Sequence, residues 1–359
     1  MAVYTAIDDA GLFFNTVLYT GTGSSNAITG AGFQPDATWI KGRNTAYNHV
    51  FTDSVRGVTE EIYPNVTDAE VTNANGLTAF GADGFTVGSD AGYNESAKTY
   101  ASWNWKAGTT SGITTDGSTT ITPSAYSFNQ TSGFSAVVYT GNSTNDAKVA
   151  HGLGAAPGVV MVKKMNSTGQ WTMHHPGLTT PARYGIVLNV NTAEELDNYA
   201  TWSFWYNTNP DSVNFTLGDS TGWNNSGDTY VAYCFTSIKG YSKFGSYRGN
   251  AAADGPFVYT GFRPAFLTIK NSESVQAWNT FDDKRSTSTK NPANFLLQPN
   301  DAAAESTGVD GVKTIDFLAN GFKVRGLNNE INKNSDTHIY MAFAEFPFVS
   351  SNSKPGTAR

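Results

Sequence analysis

Tyr230-Val231-Ala232-Tyr233-Cys234-Phe235 decides how this chain folds. On a strand, neighbouring side chains point to opposite faces, so Tyr230, Ala232 and Cys234 face one way and Val231, Tyr233 and Phe235 the other. Both faces are apolar, as expected of a strand packed on two sides. Burying each ring is worth roughly 1.5 to 3 kcal/mol, so the segment should anchor a core. Tyr-led aromatic strands of the same kind stand at Tyr100 to Trp105 and at Tyr340 to Glu345.

What precedes these strands recurs as well. Tyr19-Thr20-Gly21, Tyr139-Thr140-Gly141 and, with a weaker match, Tyr247-Arg248-Gly249 each lead into a turn. A proline then opens an apolar run that ends in lysine: Pro35 to Lys41, Pro157 to Lys163 and Pro264 to Lys270. Eight positions past each lysine stands a ring, at His49, Trp171 and Trp278. Gly84-Phe85-Thr86-Val87, Val213-Asn214-Phe215-Thr216-Leu217 and Gly321-Phe322-Lys323-Val324 follow, and an Asn-rich loop leads to the closing strand. Order and spacing persist while loop contents differ, which is how copies of a scaffold diverge when packing constrains only the framework. Function is therefore to be sought in what differs.

At 359 residues the chain is long enough for two or three domains. Short β-branched and aromatic runs bounded by Gly, Pro and Asn predict strands, and helical periodicity is almost absent; short helices or turns are expected around Thr67 to Val71, Thr192 to Leu196 and Asp301 to Glu305. The fold class expected is all-β: three tandem antiparallel β-sandwich, jelly-roll-like repeats. The expected division is an N-terminal arm (1–16), repeat 1 (17–106), a Thr-, Ser- and Gly-rich linker (107–129), repeat 2 (130–240), repeat 3 (241–349) and a flexible polar tail (350–359).

Charged residues make up 15% of the chain, against about 25% in an average one. The net charge is -7 and Lys and Arg are not clustered, which argues against nucleic acid and anionic membranes as partners. No apolar run approaches the roughly 20 residues of a membrane helix. Met1 to Phe14 carries Asp8 and Asp9 and no basic start, unlike a secretory signal, so a soluble protein made in the cytoplasm is expected. Cys234 is the single cysteine and is expected to pack as a small buried residue, in line with Asn104 and Ala344 of the other copies.

Candidate chemistry is sparse. His174 and His175 are adjacent and would point to opposite strand faces, with no third ligand at a metal spacing. Asp8-Asp9, Glu60-Glu61, Glu194-Glu195 and Asp282-Asp283 could supply the paired carboxylates of a glycosidase, but adjacent acids arise readily by chance and solvated turn residues are the favoured explanation. No nucleophile elbow, phosphate loop or zinc spacing occurs. No catalytic residue, metal or cofactor is therefore expected. The Asx-rich loops Asp219 to Asp228 and Asn328 to Asp336 could offer oxygens to calcium, yet lack the EF-hand spacing and more often cap their own backbone.

One segment belongs to the second copy only: Tyr199-Ala200-Thr201-Trp202-Ser203-Phe204-Trp205-Tyr206. As a strand it would place Trp202, Phe204 and Tyr206 on one face and Tyr199, Ser203 and Trp205 on the other. Flat rings on a polar rim stack on sugars, so Tyr199, Trp202, Trp205 and Tyr206, joined by Trp223 from a nearby loop, form a candidate glycan-binding set. Packing in a core or between subunits is the other reading.

The chain resembles virion structural proteins of tailed bacteriophages, especially phages of aquatic and marine bacteria. The resemblance rests on Gly152-Leu153-Gly154-Ala155-Ala156-Pro157, Tyr230 to Phe235, Gly240-Tyr241-Ser242-Lys243-Phe244-Gly245-Ser246-Tyr247, Phe257-Val258-Tyr259-Thr260-Gly261-Phe262-Arg263-Pro264 and Ile315-Asp316-Phe317-Leu318-Ala319-Asn320-Gly321-Phe322-Lys323. Tyr4-Thr5-Ala6-Ile7-Asp8-Asp9 and Ala358-Arg359 also fit. It implies a non-enzymatic virion component, a tail fibre or other appendage protein taking part in host-surface glycan recognition. The implied partners are other virion proteins and further copies of itself, a trimer among the options. A capsid decoration or tail connector without a receptor role is the alternative, and a polysaccharide-degrading enzyme a third.

Overall fold

The computed structural model describes residues 5–198, 203–286, 291–307 and 312–350. Each closing strand lies inside a main antiparallel sheet, flanked by the opening strand and by the strand that ends in lysine. The first sheet runs Phe14–Thr20, Thr99–Trp105, Ala37–Gly42, Val50–Asp53. The third repeats this order with Ser242–Arg248, Thr337–Pro347, Phe262–Asn271 and Asn279–Asp282. The second has the same four, Phe134–Thr140, Thr229–Phe235, Val159–Lys164 and Trp171–His174, extended by Ala125–Asn129 at one edge and by Tyr184–Val187 and Glu195–Leu196 at the other. Ala125–Asn129, read from sequence as linker, is thus a strand, and Ile113 and Ile121 from the same segment pack on the core of the second sandwich. The N-terminal arm also belongs to the body: Ile7 and Ala10 are buried, and Thr5 donates to Lys239 O at 3.0 Å.

A small sheet covers one face of each main sheet: Asn26–Thr29, Gly84–Val87 and Leu77–Gly81; Ala147–Ala150 with Asn214–Leu217; and Phe257–Tyr259, Gly321–Arg325 and Thr314–Leu318. The fold is an all-β sandwich. The two apolar faces of the closing strand now have separate destinations. Tyr230, Ala232 and Cys234 face the small sheet and form that sandwich's own core, while Val231, Tyr233 and Phe235 enter a larger core shared with the other two main sheets. Tyr100 and Trp103 divide in the same way. At the centre, Trp105, Phe235 and Phe343 touch pairwise, with ring centroids 5.7 to 6.1 Å apart.

Several local devices occur three times. The tyrosine of each opening strand stacks on its partner in the closing strand: Tyr19 on Tyr100, Tyr139 on Tyr230 and Tyr247 on His338, at 5.1, 5.2 and 5.0 Å. His338, not Tyr340, is therefore the third counterpart of Tyr100, and Cys234 answers to Asn104 and Ala342 instead of Ala344. The register is continuous here, Ile339 opposite Lys270 as Val231 is opposite Lys163 and Ala101 opposite Lys41, which places the third repeat's tyrosine two positions further along its strand. The glycine after each opening strand is required by close approach: a Cβ on Gly21, Gly141 or Gly249 would stand 2.1 to 2.4 Å from a carbonyl oxygen.

A buried asparagine closes each Asn-rich loop. Asn224 donates to Gly218 O and Thr144 O and accepts from Asn142 N. Asn94 does the same with Gly88, Ser24 and Thr22, and Asn332 with Gly326, Ala252 and Asn250. Alanine at any of the three strands buried backbone groups without partners. Each variant should lose about 1–3 kcal/mol in urea unfolding, and the three losses should be similar.

The expected short helices do not form where they were placed. Instead Ala10–Leu12 forms a 3-10 turn, and Ala91–Asn94 and Asn329–Asn332 single helical turns. The segments around residues 67–70, 191–194 and 302–305 are seams. Glu70 N donates to Met165 O, Glu194 N to Ser272 O and Glu305 N to Arg43 O. Repeat 1 thus bonds to repeat 2, 2 to 3, and 3 back to 1. The rings noted eight positions past each lysine cross the same seams: Trp171 Nε1 donates to Tyr63 O and Trp278 Nε1 to Val187 O. His49 accepts from Trp39 Nε1 at Nδ1, so its Nε2 carries the proton and donates to Gln298 O at 3.0 Å. Contacts of one kind carried head to tail through three units close into a ring.

Candidate functional site

The aromatic run of the second repeat falls partly outside the described residues, which exclude Tyr199 and Trp202. From Ser203 onward it is a turn and not a strand. Tyr206 N donates to Ser203 Oγ at 2.9 Å, Thr208 N to Trp205 O at 3.0 Å, and Tyr206 and Asn207 take φ of +49° and +51°. Two successive left-handed residues break the alternation, so Phe204 and Trp205 both turn inward, 3% and 1% exposed. Trp205 Nε1 donates to Tyr184 O and its ring meets His174 edge-on at 5.5 Å. Trp223 is 8% exposed, donates to Ser203 O and stacks on Phe204 at 4.8 Å. Trp205 is therefore a core residue whose faces are already covered, which corrects its place in the sugar-stacking set, while Trp223, nearly buried, still lines a cleft. Tyr206 is half-buried beside them. Trp205→Ala should cost about 3–5 kcal/mol in urea unfolding, the loss of a buried ring, and so cannot serve as a clean binding variant.

The second sandwich does have a cleft of about 360 Å³, lined by Gln170, Thr172, Thr192 and Glu195 together with Phe204 and Trp223. That size suits one or two sugar units. Among the described residues its lining holds one carboxylate, Glu195.

A family model described as a domain of unknown function, DUF7483, matches residues 9–347. The chain belongs to the DUF7483 family. Its matched span takes in all three main sheets, so the family's unit corresponds to the closed ring and not to one sandwich. No curated protein matches the DUF7483 chain.

In this DUF7483 protein the polar residues singled out from sequence are mostly framework. His174 lies between Gly158 O and Asn209, and burial lowers its pKa. His175 accepts from Gly177 N and donates to Tyr340 O across the seam, and burial pushes it down to about 3. It occupies the corner that Asp53 and Asp282 hold in the other repeats. There Tyr233 OH donates to Asp53 and Trp103 Nε1 to Asp282, again from the next repeat in the ring. The acid pairs also separate by role. Asp282 accepts from the buried guanidinium of Arg285, and Glu61 accepts from Tyr63 and Asn73, its carboxyl raised by burial. The Asx loops cap and brace: Asn328 caps the turn at Asn329, Asp336 pairs with Lys333, and Asp228 pairs with Lys164 at 2.7 Å. Among the described residues, no three His, Cys, Asp or Glu side chains are placed to hold a metal ion, and no helix is long and apolar enough to cross a membrane. Cys234 is fully buried, its thiol pushed up to about 12.

Sequence reading overlooked the buried Asp–Arg–Glu groups: Asp53–Arg56–Glu70 in repeat 1 and Asp282–Arg285–Glu305 in repeat 3. The Asp-x-x-Arg spacing, present at 53–56 and 282–285, was the available signal. Repeat 2 has His175 and Leu178 at these places. Its Glu194 is held by Thr179 instead, with a carboxyl raised by burial.

The seams also bury the three strand-ending lysines. Lys41, Lys163 and Lys270 donate to backbone carbonyls, among them Thr67 O and Asn191 O of the adjoining repeat. Burial lowers them from 10.5 to about 8, about 8 and about 7. The unfolded chain, with ordinary lysines, binds more protons between those values and 10.5, so stability should rise with pH from about 7 to about 10. Above that, buried tyrosines such as Tyr139 and Tyr233, raised by burial, reverse the slope. Urea midpoints at pH 7, 8.5 and 9.5 should increase in that order.

Proposed function

We propose that this protein is a non-enzymatic structural protein of a bacteriophage virion, a tail fibre or appendage component that takes part in recognising host-surface glycan. The phage assignment rests on the resemblance of its repeated motifs. The structural observation that carries the reading is the closed ring: three sandwiches fused through one aromatic core and identical seam bonds make a stiff body from which variable loops project. Such a body suits load-bearing display, and one chain already offers three related surfaces without oligomerising. Further copies would multiply weak contacts by avidity. Labelling intact particles with gold-tagged antibody against the protein tests the reading. Label at the distal tail is expected; label over the capsid would overturn the appendage assignment.

The inward packing of Phe204, Trp205 and Trp223 favours a second reading, a decoration or connector protein whose aromatic segment is scaffold. Capsid labelling with unimpaired attachment of particles lacking the protein would support it.

A further inference from the structure

We infer that the opening strand of the first repeat, Phe14–Thr20, takes up one further strand from another polypeptide, an extended uncharged segment that adds antiparallel to its outer edge. The register shows which groups form that edge. Phe13 O accepts from Lys106 N and Gly21 N donates to Lys98 O, so Asn15, Val17 and Tyr19, which share their parity, exchange backbone bonds with the closing strand. The N–H and C=O groups of Phe14, Thr16 and Leu18 therefore point off the sheet, and no described residue bonds to them. Thr16 Oγ1 is likewise buried and without a partner, and Leu18 is 37% exposed. A row of unpaired backbone groups is a template for another strand.

The other two repeats close the same edge. Counting back from the stacked tyrosines Tyr19, Tyr139 and Tyr247, the three residues answer to Phe134, Ala136 and Val138 in repeat 2 and to Ser242, Phe244 and Ser246 in repeat 3. In repeat 2 the chain supplies the added strand itself, with Asn129, Ser127 and Ala125 opposite Phe134, Ala136 and Val138. In repeat 3, Ser242 N donates to Ile238 O and Phe244 N to Ser237 Oγ, while Lys243 and Arg248 set charges along the strand. Folded proteins blunt a long edge with charge, proline or a bulge. Phe14-Asn15-Thr16-Val17-Leu18-Tyr19-Thr20 has no charge and no proline, and its register against the closing strand is unbroken. This edge alone of the three is kept fit to pair.

The resident strand of repeat 2 also states the chemistry of the partner. Ala125-Tyr126-Ser127-Phe128-Asn129 is uncharged, the residues opposite the edge groups are small or polar, and Tyr126 and Phe128 between them pack on the core under the small sheet. A partner for repeat 1 needs the same alternation, with a small residue opposite Thr16. Main-chain bonds then supply the affinity and the alternate side chains the selectivity. For its biological meaning the inference rests on the virion reading, which supplies the neighbouring protein; the pairing chemistry does not.

The test titrates a fluorescein-labelled peptide having the sequence of residues 122–130 with the full chain, followed by polarisation and by amide hydrogen exchange. Saturable binding is expected, with exchange over residues 14–18 slowed by about tenfold. Affinity should fall by about tenfold in Leu18→Pro, which removes an outward N–H, and in Leu18→Lys, which keeps the backbone and charges the edge, with unchanged circular dichroism. The same peptide methylated on the backbone nitrogens of its alanine, second serine and asparagine has lost the donors that face the edge and should not bind. Absence of saturable binding, full affinity in both variants, or undiminished binding of the methylated peptide would overturn the inference. So would slowed exchange confined to residues 134–138, which would show the peptide replacing the resident strand of repeat 2. A dimer of the full chain that Leu18→Lys abolishes would also overturn it, by making the edge a contact between copies. Peptide binding by a protein that the gold label does not find on particles would remove the virion reading and leave the edge. A labelled appendage protein that ignores the peptide would remove the edge and leave that reading.

Discussion

Replacing Arg285 with alanine should cost about 3–5 kcal/mol, among the largest losses any single change can produce here. The guanidinium is fully buried and donates to Asp282, to Glu305 at 3.0 Å and to Thr280 O at 2.8 Å. Without it two carboxylates remain in the seam between repeats 3 and 1. Arg43 still reaches Glu305 and Trp103 Nε1 still reaches Asp282, but one negative charge is left without compensation. Taking such a charge out of water costs more than losing the pair's attraction, which is why breaking a buried pair is severe. The midpoint of urea unfolding should fall accordingly. Arg56→Ala should behave alike, since Asp53 and Glu70 flank Arg56 in the same manner. A loss below about 1 kcal/mol, typical of exposed pairs, would mean that water enters this seam.

Phe343→Ala should cost a similar amount for a different reason. Its ring touches Phe14 and Trp105 of repeat 1, Phe235 of repeat 2, and Tyr241, Phe244 and Phe266 of repeat 3. Removing it opens a cavity where three sheets meet, and buried Phe-to-Ala changes cost about 3–5 kcal/mol. Because the cavity belongs to all three repeats, they should still unfold together. Tryptophan fluorescence and circular dichroism of the variant should trace one coincident transition, shifted to lower urea. Two separated transitions would mean that each sandwich is stable alone and that the shared core only glues them.

The two-faced closing strand was legible because alternation over six residues needs no knowledge of the partner. The strand-ending lysines and the rings eight positions beyond them were legible as recurrences, but their purpose was not. Trp171 and Trp278 donate to carbonyls 108 and 91 residues away, and backbone acceptors leave no trace in side-chain identity. In the third repeat the tyrosine that heads the closing run does not stand at the stacking position. His338 fills that place, stacking as a flat ring would, while Tyr340 stands two positions on, opposite Ile269. The aromatic run at 199–206 misled for a related reason. Strand alternation holds only for extended backbone, and the left-handed turn at Tyr206 and Asn207 carries no glycine to announce it.

The head-to-tail seams have a consequence for how such a chain can change over generations. A solenoid gains or loses units freely, because each touches only its neighbours and the ends stay open. Here the last unit meets the first through the same kind of backbone bond that joins the other pairs, and one ring from each unit meets at the hub. Duplication or deletion of one unit would open the circle and expose its aromatic hub. Copy number is thereby locked, and novelty has to arise as substitution in the rims.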